Sequence, residues 1–320
     1  MRYLITGGAG FIGSHLAERL LERGDSVIAL DNFSTGNHTN VKHLEQQDGF
    51  KLIYGSVMDR DLVNECLQGV DRVYHLASAV GVQLIIDRPI ETVETIVQGA
   101  SVVFEACARY RIPVLLTSTS EVYGKSQDLP FTESSDSIIG PPSFRRWAYA
   151  SAKALDEFLA LAYWHQLRLP VVLVRLFNTV GPRQTGQYGM VIPRFVQQAL
   201  KGQPITVYGT GEQSRCFCHV RDAVTGLVGL LDREESRGEL FNVGNDTEIS
   251  MNGLARRIVE MTNSNSEISH IPYAEAYGQG FEDMERRVPN LQKIKQLTGY
   301  TPEHDLDQII RDVISQFENV

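Results

Sequence analysis

The sequence predicts an α/β protein, a doubly wound parallel sheet with a smaller mixed α/β C-terminal part. Three observations carry that expectation. A glycine-rich turn, Gly7-Gly8-Ala9-Gly10-Phe11-Ile12-Gly13, sits between an apolar strand and an amphipathic helix. Strand-like and helix-like stretches then alternate as far as Asn178, the rhythm of a parallel sheet with crossover helices. Beyond Asn178 that rhythm breaks: Gly181-Pro182, Gly186, Gly189, Pro193, Gly202 and Pro204 punctuate the chain, and the strands become short.

Taken in order, Arg2–Thr6 reads as a buried strand, His15–Leu21 has helical spacing, and Gly24 closes that helix. Ser26–Leu30 makes a second strand with Asp31 at its tip, and Phe50–Gly55 a third. A helix after Met58 ends near Gly69, and Val73–Ser78 is the fourth strand, running into a loop of small residues. Thr92–Tyr110 is helical, Val114–Ser118 is the fifth strand, Trp147–Gln166 is a long helix, and Val171–Leu176 is the sixth strand. Glu239–Gly244 is apolar enough to return to the main sheet. The expected division is residues 1–178, with 216–245 rejoining them, against 179–215 and 246–320.

The first of these stretches has a mechanical reading. Gly7, Gly10 and Gly13 permit a tight turn, close approach of backbone to a pyrophosphate and close helix–strand packing, and the unbonded N–H groups at the helix start face the anion. The Asp31 carboxylate can accept the ribose hydroxyls of an adenosine and repels a 2′-phosphate, which favours NAD over NADP. This is the pattern of a dinucleotide-binding Rossmann domain. The residues expected around the cofactor are Gly7, Gly10, Phe11, Ile12, Gly13, Asp31, Asn32, Phe33, Ser34, Ser56, Leu76 and Ala77, with Tyr149 and Lys153 at its far end.

Composition narrows the partners. The chain has 320 residues, 42% of them apolar, and a net charge of −9, with no basic stripe for nucleic acid or an anionic membrane. No apolar run is long enough to span a bilayer, and the first residues pass straight into a strand, leaving no room for a signal peptide. Four scattered cysteines make no disulfide framework and fit the cytoplasm. Cys216-Phe217-Cys218 has no His or Cys pair at ligand spacing to complete it; alternation along a strand explains it, and no metal is expected.

Tyr149 and Lys153 lie one helical turn apart on one face, so an ammonium can stand near a phenol and, with a nicotinamide cation, lower its pKa. Thr117-Ser118-Thr119-Ser120-Glu121-Val122-Tyr123-Gly124 occupies the C-terminal end of the fifth strand, the edge at which open α/β sheets bind ligands. With these residues the chain resembles, over nearly its whole length, the extended short-chain dehydrogenases/reductases that act on nucleotide sugars. The resemblance implies an NAD-dependent enzyme in which Tyr149 takes the sugar 4-hydroxyl proton while hydride leaves C4. Lys153 binds the nicotinamide ribose and Thr119 assists. It further implies substrate contacts from Asn178 in Arg175–Arg183, from Arg194 and Tyr208 around the nucleobase, and from Arg215 on the diphosphate. It also implies a homodimer in which the helices Thr92–Tyr110 and Trp147–Gln166 form a four-helix bundle, with Leu155, Phe158, Leu159, Ala162 and Tyr163 supplying apolar contact.

Members of this group share a 4-keto sugar and differ in its fate. Glu121 stands where simple 4-epimerases usually carry a small apolar residue, and Ser120 where 4,6-dehydratases carry an aspartate. Ser120 and Glu121, with Ser143–Tyr149 and the arginine Arg287 of Tyr277–Pro289, resemble the UDP-glucuronate decarboxylases, including the aminoarabinose-pathway decarboxylase domain and UDP-apiose/xylose synthase. The product would be UDP-xylose or a UDP-4-keto-pentose. The resemblance also has departures: Ser56 replaces an aspartate facing adenine, Ile96 and Ala100 depart from Asn-x-x-Gly-Thr, and Ala79-Val80-Gly81-Val82 replaces a Pro- and Ser-containing loop. A UDP-glucose or UDP-hexuronate 4-epimerase is the alternative. A 4,6-dehydratase and a non-catalytic nucleotide-sugar or NAD binder stand behind it.

Overall fold

A computed structural model describes residues 1–78, 88–186, 190–277 and 284–318. Its centre is a seven-stranded sheet built from β1 (Arg2–Thr6), β2 (Ser26–Asp31), β3 (Phe50–Tyr54), β4 (Arg72–His75), β5 (Val114–Thr119), β6 (Val171–Leu176) and a late strand, Glu239–Val243. The spatial order is Glu239–Val243, β6, β5, β4, β1, β2, β3, and every neighbouring pair is parallel. The winding reverses between β1 and β4, so a crevice opens there at the carboxyl ends of the strands.

Alternation along the strands gives the main-sheet core two layers. Tyr3 and Ile5 of β1 face one way, together with Val172 and Val174, and are covered by Leu16 and Leu20 of α1 (Phe11–Glu22). Leu4 faces the other way with Ile28, Val73, Leu116 and Leu173, under Val103 and Phe104 of a long helix (Pro89–Tyr110) and Ala160 of another (Trp147–Leu167). Between the first and these two lies α2 (Arg60–Cys66), so the long pair are α3 (Pro89–Tyr110) and α4 (Trp147–Leu167). Strands buried on both faces explain why their sequences read as nearly continuous apolar runs.

After β6 the chain forms β7 (Thr179–Val180), α5 (Val191–Leu200), β8 (Ile205–Tyr208), β9 (Ser214–Cys216) and β10 (Cys218–His219). Next come α6 (Val220–Leu231), β11 (Glu239–Val243), β12 (Glu248–Ser250) and α7 (Met251–Met261). The last elements are β13 (Ile268–Ile271), α8 (Tyr273–Tyr277), α9 (Gln292–Thr298) and α10 (Leu306–Glu318). A second core, separate from that of the main sheet, joins Ile192 and Phe195 of α5, Val207, Phe217, Leu254 and Ile258 of α7, and Ile309 and Val313 of α10. Val224 and Leu227 of α6 and Ile294 of α9 pack instead with the main-sheet core.

Several boundaries differ from expectation for local reasons. α3 starts at Pro89 rather than Thr92, because a proline at the first helical position gives up no hydrogen bond. α2 is confined to Arg60–Cys66, capped by the Asp59 carboxylate, which accepts from the N–H groups of Asp61 and Leu62. β4 stops at His75, where the chain turns toward the crevice. The expected strand through Cys216-Phe217-Cys218 is two strands: β9 pairs antiparallel with β12 and β10 pairs parallel with β7, while Phe217 between them enters the second core. The loop Ala79–Val82 and residues 278–283 of the Tyr277–Pro289 stretch lie outside the described residues.

Candidate active site

A cavity of about 830 Å³ follows the crevice from the first glycine turn, past the ends of β4 and β5, to the second core. Every site residue expected from the sequence lines it.

One end is made mainly of backbone. Gly7 has φ +72°, the left-handed region, and a Cβ there would meet the backbone of Ala77. A Cβ on Gly13 would lie 2.2 Å from the Gly7 carbonyl oxygen, so only glycine lets α1 begin this close to β1. Gly10 caps α1 without a side-chain hydrogen bond, which leaves the first-turn N–H groups facing the cavity. The Asp31 carboxylate accepts from the N–H groups of Ala9 (2.9 Å) and Phe33 (2.8 Å); burial nevertheless raises its pKa. Phe33, at φ +56°, stacks on Tyr54, and Asn32 accepts from the Ser34 N–H. Ser56, Leu76 and Ala77 complete this wall. Glycines that tolerate no Cβ, a helix N-terminus and a carboxylate at the next strand tip fit the diphosphate and ribose of a dinucleotide.

The middle is built by α4. Tyr149, Lys153, Asp156, Glu157 and Ala160 fall on one stripe of this helix and are all buried. Glu157 accepts from Ser118 Oγ (2.5 Å) and receives a bidentate fork from Arg175 (2.9 and 2.7 Å). Arg175 in turn covers the Tyr123 ring at 4.5 Å. This network locks the ends of β5 and β6 to α4, and so fixes Thr119 beside Tyr149.

Burial dominates the environment of the Tyr149 phenol. The phenol's pKa is raised, chiefly by burial and next by the Glu121 carboxylate. The hydroxyls of Thr119 and Ser78 pull the other way, and Asp156 adds to the rise. Lys153 pairs with Asp156, Nζ to Oδ2 at 3.4 Å. Helical spacing places the lysine within a turn of the tyrosine, on the same buried stripe.

The far end is a cluster of side chains. Glu121 lies in the short 3₁₀ turn Ser120–Tyr123 after β5, with the Thr119 hydroxyl accepting its N–H. Arg146 Nη2 reaches its two oxygens at 3.0 and 3.3 Å, and Arg287 Nη1 meets one of them at 2.5 Å. Arg146 sits three residues before Tyr149, packed over the Trp147 ring. Ser120 is buried beside the cluster. Residues 284–290 are strapped on both sides: Ser214 N–H donates to the Glu285 carbonyl, while Phe131 exchanges backbone bonds with Val288 and Asn290. Arg286 turns outward to Glu248, and Arg287 turns in.

The remaining expected residues line the second-core wall. Arg194 covers the Tyr208 ring at 3.9 Å, Arg215 donates to the Ser214 carbonyl (2.7 Å), and Asn178 Nδ2 donates to the Cys216 carbonyl (2.9 Å). Sequence reasoning gave no role to Arg146, Arg183, Gln213 or Tyr273, which also line the cavity. The position of Arg146, one turn before Tyr149, was the available signal; Gln213 and Tyr273, hydrogen-bonded to each other at 3.0 Å, offered none.

A Rossmann sheet with a Tyr-x-x-x-Lys helix at its crevice and a second core lining the far part of the cavity defines an extended short-chain dehydrogenase/reductase. The profile of the GDP-mannose 4,6 dehydratase family matches residues 4–313, and the chain belongs to that family of nucleotide-sugar enzymes. It is 40% identical to the UDP-N-acetyl-alpha-D-glucosaminuronate decarboxylase of Bacillus cytotoxicus, over 100% of this chain and 98% of the relative. It is 37% identical to UDP-glucuronic acid decarboxylase 2 of Arabidopsis thaliana, over 99% of this chain and 68% of the relative. Among solved structures it is similar to the UDP-glucuronic acid 4-epimerase of Bacillus cereus, solved with UDP-glucuronic acid and NAD. There the TM-score is 0.90 and the identity 26%, covering 100% of this chain and 99% of that one.

Proposed function

We propose that this chain is an NAD-dependent decarboxylase of a UDP-hexuronate, working through a 4-keto sugar. The observation that carries the reading is Glu121, gripped by Arg146 and Arg287 in the cavity that also holds Tyr149 and Thr119. A 4-epimerase acting on a neutral hexose has no use for a paired-arginine cluster at that place, whereas a substrate carrying a second anion does.

NAD bound in the glycine cradle supplies a hydride acceptor and donor at the sugar C4. Asp31 and the α1 N-terminus would hold its adenosine and diphosphate, and Lys153 its far ribose. Tyr149 takes the 4-hydroxyl proton, with Thr119 fixing the hydroxyl. Once C4 is a ketone, the C5 carboxylate belongs to a β-keto acid. The C5–C6 bond breaks, its electron pair enters the C4–C5 enolate, and carbon dioxide leaves. C5 then needs one proton. Glu121, ion-paired and half-buried, is suited to orient the departing carboxylate and to order a proton donor, with Ser120 beside it. Arg287 balances the charge of both carboxylates. Asn178, Arg194, Tyr208 and Arg215 hold the nucleoside diphosphate in the second domain, residues 179–215 and 246–320.

The full-length similarity to a decarboxylase of an N-acetylated uronate makes UDP-N-acetylglucosaminuronate a substrate to test beside UDP-glucuronate. The experiment is incubation with NAD and each sugar, followed by NMR and carbon dioxide release. A pentose product with stoichiometric gas supports the reading; UDP-galacturonate without gas replaces it with 4-epimerisation.

The exposed residues Leu155 (50%) and Phe158 (74%) on α4, with Ile90 (74%) on α3, suit a homodimer through these helices. Leu159 and Tyr163 pack partly on the sheet core and contribute less. Sedimentation as a monomer at micromolar concentration rejects that assembly. No helix among the described residues is long and apolar enough to cross a membrane. All four cysteines are free and buried, which suits a reducing cytoplasm.

A further inference from the structure

The stripe on α4 holds one residue that the mechanism above leaves unused. Asp156 follows Lys153 by three positions and has no exposed surface. One carboxylate oxygen, Oδ2, faces the Lys153 ammonium at 3.4 Å. The other, Oδ1, is buried with no hydrogen-bond partner. Its neighbour Glu157 is satisfied by three hydrogen bonds from Ser118 and Arg175 and needs nothing from it. A carboxylate that is fully desolvated and only singly paired is costly, and helix α4 would be better served by an apolar residue at this place. Such an expense is most readily explained by the site it adjoins.

We propose that Asp156 is a positioning residue for the Tyr149–Lys153 pair: its buried carboxylate anchors the ammonium and sets the charge that the phenol meets. The inference rests on Tyr149 being the base, and not on which sugar is turned over. Lys153 is buried and its bond to Asp156 holds the ammonium toward the body of the helix, on the stripe that runs under the phenol. The groups facing this pair come from several elements. They are Tyr149 and Glu157 on α4, Thr119 at the end of β5 and Glu121 just after it, Ser78 after β4, and His75 on β4, which feels the lysine charge. Burial raises the pKa of Asp156 to about 6, with the Lys153 charge opposing the rise. Near neutral pH the carboxylate is therefore still charged, but within reach of protonation.

The geometry sets two opposing duties. A charged Asp156 keeps Lys153 in place, and the same charge disfavours phenolate at Tyr149. Asp156→Asn keeps the volume and an oxygen for the ammonium while removing the charge. In the NAD-loaded protein, the tyrosine ¹³Cζ resonance that disappears in Tyr149→Phe should titrate about one pH unit lower in Asp156→Asn than in the parent. The acid limb of kcat should move down by a similar amount, with KM for the nucleotide sugar changed less than about twofold. A titration and an acid limb both unmoved would overturn the proposal and leave Asp156 a packing element. If Asp156→Asn does not fold by thermal melting, Asp156→Ser serves in its place with the same two outcomes. Failure of the hexuronate reading leaves the tyrosine titration untouched, so the two can be told apart.

Discussion

The two ends of the cavity are built by different means. At the dinucleotide end the recognition surface is backbone: a left-handed glycine, a helix start without a side-chain cap, and an aspartate whose oxygens take main-chain N–H groups. At the sugar end it is side chains converging from separate segments, with Glu121, Arg146 and Arg287 joined in one cluster. A backbone cradle is fixed once the fold forms and admits no added atom. A side-chain cluster can be altered one charge at a time while the fold stands. The first kind suits a cofactor that does not change, and the second suits the part of a family in which reactions diverge.

Substitutions can break or sharpen that contrast. The largest effect should come where the two ends meet. Tyr149→Phe removes the proton acceptor and should lower kcat about 10³-fold while NAD stays bound, checked by calorimetry beside turnover. Unchanged turnover would reassign the base. Next, Arg287→Leu should slow carbon dioxide release about 10²-fold with melting temperature and NAD affinity little changed. Parallel losses of all three would mean that the sugar end is as much scaffold as the cradle. At the other end, Gly13→Ala should cost about 2–3 kcal/mol, read as lower melting temperature and weaker NAD binding, because its Cβ meets the Gly7 carbonyl. An alanine tolerated without loss would show the cradle to be adjustable after all.

The smallest effect lies beneath the junction, in pH dependence. His75 is fully buried, its Nδ1 2.7 Å from Thr6 Oγ1, and burial and then Lys153 lower its pKa to about 3. The unfolded chain binds a proton below about pH 6.5 that the folded ring refuses, so this group withdraws stability as pH falls. Between pH 7 and pH 5 the loss should be about 2 kcal/mol, and His75→Gln should flatten the denaturation profile by that amount. Parallel profiles for the two proteins would contradict a neutral buried ring.

The same contrast explains what could be read from the chain beforehand. Gly7, Gly10, Gly13 and Asp31 act through local backbone, and their spacing alone locates a strand, a turn, a helix and the next strand tip. Tyr149 and Lys153 share one helix, so their adjacency was legible too. Their electrostatics was not, since spacing does not report that burial and Glu121 raise the phenol while Asp156 takes the lysine. The arginine cluster was half legible. Resemblance pointed to Glu121 and Arg287, but nothing local joins residue 146 to residue 121, and only the fold brings them to 3.0 Å. The division of the C-terminal half was harder still. Phe217 and Ile294 both lie beyond the break at Asn178, yet one packs in the second core and the other against the main sheet.

The strap carrying Arg287 has a consequence for anyone who would move this chemistry to another scaffold. Residues 284–290 hang from the main chain of Ser214 on one side and of Phe131 on the other, and the preceding residue, Arg286, is tied outward to Glu248. An arginine grafted alone would arrive without an address. The transferable cassette is the ribbon together with both of its moorings, so evolution and engineer alike must exchange three distant pieces of sequence at once.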